Sequence, residues 1–241
     1  MSDKKLKLFL VPFAGSAAMS AYSSWQPHLS NFDVKLYDYP GHGKRMNEPL
    51  SANIAETAQD LLDFIQSQLT DDNESYIMYA HSMGCLVLFE MFKRLSDSAL
   101  TPPAQVFLSG RNPPHYQYRD KILHVLEDKE FLQEIKRIGG TPKEFFNWPE
   151  LVNLFLPILK NDYRICEQYQ FAPASEKLTD LTFFYSDNDY MVTKAKVKEW
   201  GDYVKGDFRL LEFEGDHFFI YEYVEEICKL IRQSVIASSI E

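Results

Sequence analysis

The stretch Tyr76-Ile-Met-Tyr-Ala-His-Ser-Met-Gly-Cys-Leu-Val-Leu-Phe-Glu-Met-Phe92 leaves this chain few ways to fold. It opens as an apolar run of strand length, Tyr76 to Tyr79. It continues as an apolar helical pattern through Leu86, Leu88, Phe89, Met91, Phe92 and Leu95. Between the two lies Ala80-His81-Ser82-Met83-Gly84. A serine where a buried strand turns sharply into a buried helix sits on strained backbone, and small residues two before and two after it let strand and helix approach. Gly84 keeps the small residue after the serine. Ala80 stands where such a turn usually has glycine, at a cost of one methyl group of clearance. The helix that begins after Ser82 points its free N–H groups and positive dipole end at the place where an oxyanion would form. The arrangement predicts an activated serine at an elbow.

The 241 residues suffice for one α/β domain, 1–241, with an inserted subdomain, and are too few for two full domains. Hydrophobic residues at 45% supply a packed core and exclude a disordered chain. Cys85, Cys166 and Cys228 are odd in number and far apart, so no disulfide framework or metal spacing can be built from them, which suits a reducing cytoplasm. The charged start, Met1 to Lys7, precedes an apolar stretch too short for a signal peptide, and no apolar run long enough to cross a membrane occurs elsewhere. A cytoplasmic location is expected. The net charge of −10 argues against nucleic acid and anionic membrane as partners.

Along the chain, strand-like runs alternate with helical patterns. Leu6 to Val11 reads as a buried strand followed by Pro12-Phe-Ala-Gly-Ser-Ala-Ala18, a loop of small residues whose N–H groups can approach a ligand. Val34 to Tyr39 is a second strand, ending in Pro40-Gly-His-Gly-Lys-Arg45. A helix follows from Ile54, with Ser51 or Asn53 as cap, and Gln105 to Ser109 is a further strand after the elbow unit. From about 115 to 171 no strand-like run appears, and aromatic-rich helical stretches predict an insertion that walls or lids a substrate site. Strands return at Leu181–Tyr185 and Phe208–Glu212, with a helix over Lys194–Val204 between them and a C-terminal helix at the end. The rhythm predicts a mostly parallel central sheet covered by helices on both faces.

Three groups fall in the order serine, acid, histidine, each just after a strand: Ser82, Asp189 and His217. This is the chain order of α/β-hydrolases. A serine hydroxyl needs an imidazole to take its proton, and the imidazole needs a carboxylate to fix its tautomer. Asp189 is preferred to Asp187, which reads as a turn residue, because it lies further from the strand end and its loop can swing towards a histidine. His217 is favoured by its place after the last strand. His81 reads as structural, pointing away from the serine's face, and His28, His42, His115 and His124 have no comparable setting. One oxyanion donor is the N–H of Met83, and the other is that of Phe13 or Ala14.

These residues carry a specific resemblance. The chain resembles the type II thioesterases, free-standing editing hydrolases associated with nonribosomal peptide and polyketide synthases. Leu10-Val-Pro-Phe-Ala-Gly15 with Trp25 is similar to the family's opening Pro-Tyr-Ala-Gly-Gly and tryptophan. Tyr39-Pro-Gly-His-Gly-Lys-Arg45 with Glu48-Pro49 resembles its Pro-Gly-Arg-x-x-Arg and Glu-Pro, and Ala80-His-Ser-Met-Gly84 resembles its Gly-His-Ser-Met-Gly. Leu108-Ser-Gly-Arg111, Gly139-Gly-Thr-Pro142, Leu156-Pro157, Asp162-Tyr-Arg164, Glu167-x-Tyr169 and Gly215-Asp-His-Phe-Phe219 continue the series in register. The chain departs from it at Ala80 for glycine, Ser16 for the second glycine, His42 for arginine and Tyr190 for proline after the acid. The resemblance implies hydrolysis of acyl groups from the phosphopantetheine thiol of acyl or peptidyl carrier domains, with Ser82, Asp189 and His217 in the catalytic roles and no metal or other cofactor. Lys44-Arg45 and Lys93-Arg94 offer local positive charge on which an acidic carrier can dock. A generic carboxylesterase of the same fold and a non-catalytic binding module are the rival readings.

Overall fold

The computed structural model describes residues 5–116, 121–173 and 176–238; part of the expected 115–171 insertion, residues 117–120, lies outside them. Among the described residues the strands are β1 (Lys7–Val11), β2 (Asp33–Leu36), β3 (Tyr76–His81), β4 (Gln105–Ser109), β5 (Asp180–Ser186) and β6 (Phe208–Phe213). They form one sheet in the order β2-β1-β3-β4-β5-β6, and every pairing is parallel. The helices are α1 (Ala18–Tyr22), α2 (Ile54–Gln68), α3 (Met83–Leu95), α4 (Asp128–Ile138), α5 (Pro149–Glu167), α6 (Lys194–Val197) and α7 (Val224–Ser238). The architecture is the expected α/β fold.

Period-two alternation along the strands divides the apolar side chains between two cores. Phe9, Val11, Met78, Ala80, Val106, Leu108 and Phe183 pack with α2 and α3 on one face of the sheet. Leu8, Leu10, Ile77, Tyr79, Phe107 and Phe184 pack with α1, Trp25 and α7 on the other. A sheet clothed on both faces leaves its strand ends as the place where polar chemistry meets solvent, and in parallel sheets all carboxyl ends share one edge.

Local signals fix the element boundaries. Asn53, not Ser51, caps α2: its side chain accepts the Glu56 N–H at 2.8 Å while Glu56 accepts the Ala52 N–H at 2.6 Å. Such a cap contributes about 1 kcal/mol. Pro149 does not interrupt a helix but begins one, at the first turn of α5, where its missing N–H costs nothing. The helix expected over Lys194–Val204 is four residues of α6 followed by a 3-10 turn from Lys198 to Tyr203. Between β4 and β5, α4 and α5 form a third apolar cluster of Leu123, Phe131, Ile135, Ile138, Leu159 and Tyr163. Ala14, Met191 and Phe218 pack against that cluster, which sets this helical segment over the carboxyl ends of the strands.

Candidate active site

Ser82 has φ 53° and ψ −113°, and among the described residues no other non-glycine residue has positive φ. A non-glycine residue in such a region costs about 1–3 kcal/mol and persists only where its surroundings dictate it. Here they do. The Ser82 N–H donates to the Ser109 carbonyl at 2.9 Å, and the Ser82 carbonyl accepts the Cys85 N–H at 3.0 Å. Gly84 lies so close to β1 that a Cβ there would sit 2.8 Å from the carbonyl oxygens of both Val11 and Pro12.

The turn lifts the Ser82 hydroxyl to the edge where β5 and β6 also end. Ser82 Oγ lies 3.1 Å from His217 Nε2, and His217 Nδ1 lies 2.7 Å from Asp189 Oδ2. The other oxygen of Asp189 accepts the Met191 N–H at 2.8 Å, so the carboxylate is fixed at both ends. All three residues are buried, Ser82 at 4%, Asp189 at 3% and His217 at 2% exposure, where an imidazolium–carboxylate pair is little screened by water. Asp187 is exposed and accepts only from its neighbour Asn188 among the described residues. The structure thus brings together the serine, the histidine and the preferred acid.

The loop after β1 is held from three sides. Tyr39 Oη donates to the Pro12 carbonyl at 2.6 Å, and the Phe13 ring packs edge-on against Phe218, whose ring in turn meets His217. The Gly15 N–H donates to Asp162 Oδ2 at 2.7 Å. Among the described residues, the N–H groups of Phe13 and Ala14 reach no acceptor. Met83 is the first residue of α3, so its N–H has no partner within the helix. Three backbone donors therefore stand free at this edge of the sheet.

His81 departs from expectation. Its ring is fully buried and, rather than pointing clear of the site, lies tilted against His217 with centroids 4.8 Å apart. Nδ1 is 2.8 Å from Ser109 Oγ, while Nε2 has no partner among the described residues. Burial, and secondarily His217, hold its pKa well below the ordinary histidine value. The folded state keeps His81 neutral and the unfolded state takes up a proton, so stability is complete above the ordinary value of about 6.5 and declines as pH falls beneath it. The decline should approach about 1.4 kcal/mol per pH unit. Urea unfolding at several pH values should show a shallower acid decline in His81→Gln; parallel curves would refute this account.

Two further expectations need correction. Arg45 is not a free docking cation: its guanidinium grips Glu48 at 2.6 Å and Asp60 at 2.6 Å. Lys93 and Arg94 both turn to Glu90 on their own helix. And His42, which the sequence leaves without a role, is buried against Asp162. The signal for it lay 120 residues away on another helix, beyond the reach of local pattern.

A cavity of about 820 Å³ opens between the loop after β1 and the helical segment, with walls from Phe13, Gly15, Met46, Phe145, Phe155 and Leu159. Its lining is chiefly apolar. Among the described residues no cluster of His, Cys, Asp and Glu is arranged to hold a metal, and no helix is long and apolar enough to cross a membrane.

A family model described as the Thioesterase domain matches residues 6–235. Among characterised proteins the chain is similar to the gramicidin S biosynthesis protein GrsT of Aneurinibacillus migulanus, 30% identical over 236 residues, covering 96% of this chain and 91% of GrsT. Among solved structures it is similar to ClbQ from the colibactin NRPS/PKS pathway, with a TM-score of 0.91, 30% identity, and coverage of 98% and 99% of the two chains. The type II thioesterase BorB from the borrelidin biosynthetic cluster follows at TM-score 0.85 and 28% identity, over 96% of this chain and 93% of BorB.

Proposed function

Because this chain belongs to the thioesterase family, we propose that it releases acyl groups from the phosphopantetheine thiol of carrier proteins. In this role it clears misprimed or stalled chains from a nonribosomal peptide or polyketide synthase. The observation that carries the reading is the unbroken contact path from Ser82 Oγ through His217 to Asp189 at the elbow of a thioesterase-family chain.

Ser82 Oγ attacks the thioester carbonyl carbon as its proton passes to His217 Nε2. Asp189 receives the Nδ1–H and stabilises the imidazolium. The oxyanion is met by the N–H of Met83 and an N–H of the Phe13–Ala14 pair, each such donor contributing about 10²–10³-fold in related chemistry. Collapse breaks the C–S bond, and His217 returns the proton to the departing thiolate. Water then attacks the acyl-serine ester, His217 takes its proton, and Ser82 leaves with that proton as the carboxylic acid is freed. The acyl chain lies in the apolar cavity that begins at Phe13 and Ala14, and α5 with the 3-10 turn before it acts as its lid.

The test compares hydrolysis of acyl-phosphopantetheinyl carrier protein with that of a matched simple ester, by the native chain and by Ser82→Ala. Fast carrier turnover that falls by about 10⁴-fold or more in the variant is expected. Ester cleavage without carrier turnover would replace the reading with a general carboxylesterase, and silence on both substrates would leave a binding module.

A further inference from the structure

Besides the path through His217, the molecule buries a second histidine–carboxylate pair that the chemistry above does not use. His42 is 3% exposed and Asp162 1%. His42 Nε2 lies 2.9 Å from Asp162 Oδ2, and its Nδ1 lies 3.0 Å from the Pro40 carbonyl oxygen. Both partners are acceptors only. A neutral imidazole has a single N–H, so either tautomer would set a ring lone pair against an oxygen. The imidazolium alone satisfies both contacts.

Asp162 Oδ2 is the same atom that receives the Gly15 N–H. Asp162 projects from α5, and one turn earlier Leu159 presses on the loop: a Cβ on Gly15, whose φ is +75°, would lie 2.1 Å from Leu159 Cδ2. The loop after β1 is therefore clamped to α5 by one contact and one charge-assisted hydrogen bond, immediately beside the free N–H groups of Phe13 and Ala14. A carboxylate this deeply buried is tenable beside a cation and costly without one.

We propose that protonated His42 is a positioning residue: through Asp162 it holds the Gly15 N–H, aims the neighbouring N–H groups at the oxyanion, and lets turnover fall when it loses its proton. The inference rests on the thioester-hydrolase reading above.

The groups facing His42 are Asp162 from α5, Asp38 beyond β2, and Tyr39 from its own loop, whose ring centroid is 5.5 Å away. Burial pulls the imidazole pKa down, but Asp162, the Pro40 carbonyl and Asp38 outweigh it and the net direction is up. With the folded pKa raised, the pair is intact below the ordinary histidine value and is lost as pH climbs through the raised one. The loss is on the alkaline side.

The test measures kcat and KM for an acyl-pantetheine thioester from about pH 6 to 9.5, with Ser82→Ala as background. Native enzyme should lose about tenfold in kcat along the alkaline limb, a fraction of what losing one oxyanion donor costs. His42→Arg should remove that limb. His42→Gln should lie about tenfold low in kcat at every pH, with KM unchanged. In the native chain, the NMR titration midpoint of the His42 imidazole should coincide with the kinetic midpoint. An alkaline limb shared by native and His42→Arg enzymes, or a His42 midpoint away from it, would overturn the proposal. Absence of Ser82-dependent thioester turnover at any pH would instead defeat the functional reading on which it rests.

Discussion

Asp189→Asn should lower kcat towards a carrier-bound thioester by about 10⁴-fold, while Asp187→Asn should stay within about twofold, the scale of a surface change. In the native site Asp189 Oδ2 faces His217 Nδ1 and Oδ1 takes the Met191 N–H. Asparagine can keep the second contact with its own Oδ1, which turns its amide N–H groups towards His217. Nδ1 must then accept, the ring proton moves to Nε2, and the imidazole meets Ser82 with a hydrogen where it needs a lone pair. The structure would be preserved and the proton path reversed. Steady-state kinetics with matched thermal melts would decide it, and equal losses in the two variants would sink the assignment of Asp189.

Gly84→Ala should cost about 1–3 kcal/mol in urea unfolding, as forced overpacking does, and should lower kcat by about 100-fold, the scale of a misplacement of about 1 Å. The methyl group would meet two carbonyl oxygens, of Val11 and Pro12, rather than a side chain that could rotate aside. Strand β1 and helix α3 must part, and the chain that moves leads directly into Phe13 and Ala14. Stability and turnover should therefore fall together. Unchanged kcat in a well-folded Gly84→Ala variant would show that the loop after β1 does not depend on this close approach.

Local chemistry made much of this arrangement legible before any coordinates. The strand Gln105–Ser109 was readable to the residue, because its centre Val106-Phe107-Leu108 is apolar and breaking residues bound it. Ser82, Asp189 and His217 could be named because each follows a strand, and a parallel sheet gathers strand ends at one edge. What escaped was contact between distant segments whose own surroundings carry no mark. Asp162 sits in the middle of a helix like any solvated acid, and its burial follows from how α5 lies across the loop after β1. His42 stands in a polar turn, and its value depends wholly on that distant acid. Arg45 read as available charge because its partner Asp60, which lies within α2, is 15 residues away. His81 read as facing away because strand alternation predicts direction, not which ring from another strand end arrives beside it.

The fit of Leu159 over Gly15 has a consequence for anyone recombining this enzyme with its relatives. The loop and α5 are 147 residues apart between Gly15 and Asp162, yet each is shaped to the other. A crossover anywhere between them would join one parent's loop to another parent's helix. Shuffled libraries should inherit both segments from a single parent, as a two-piece cassette rather than as one segment alone.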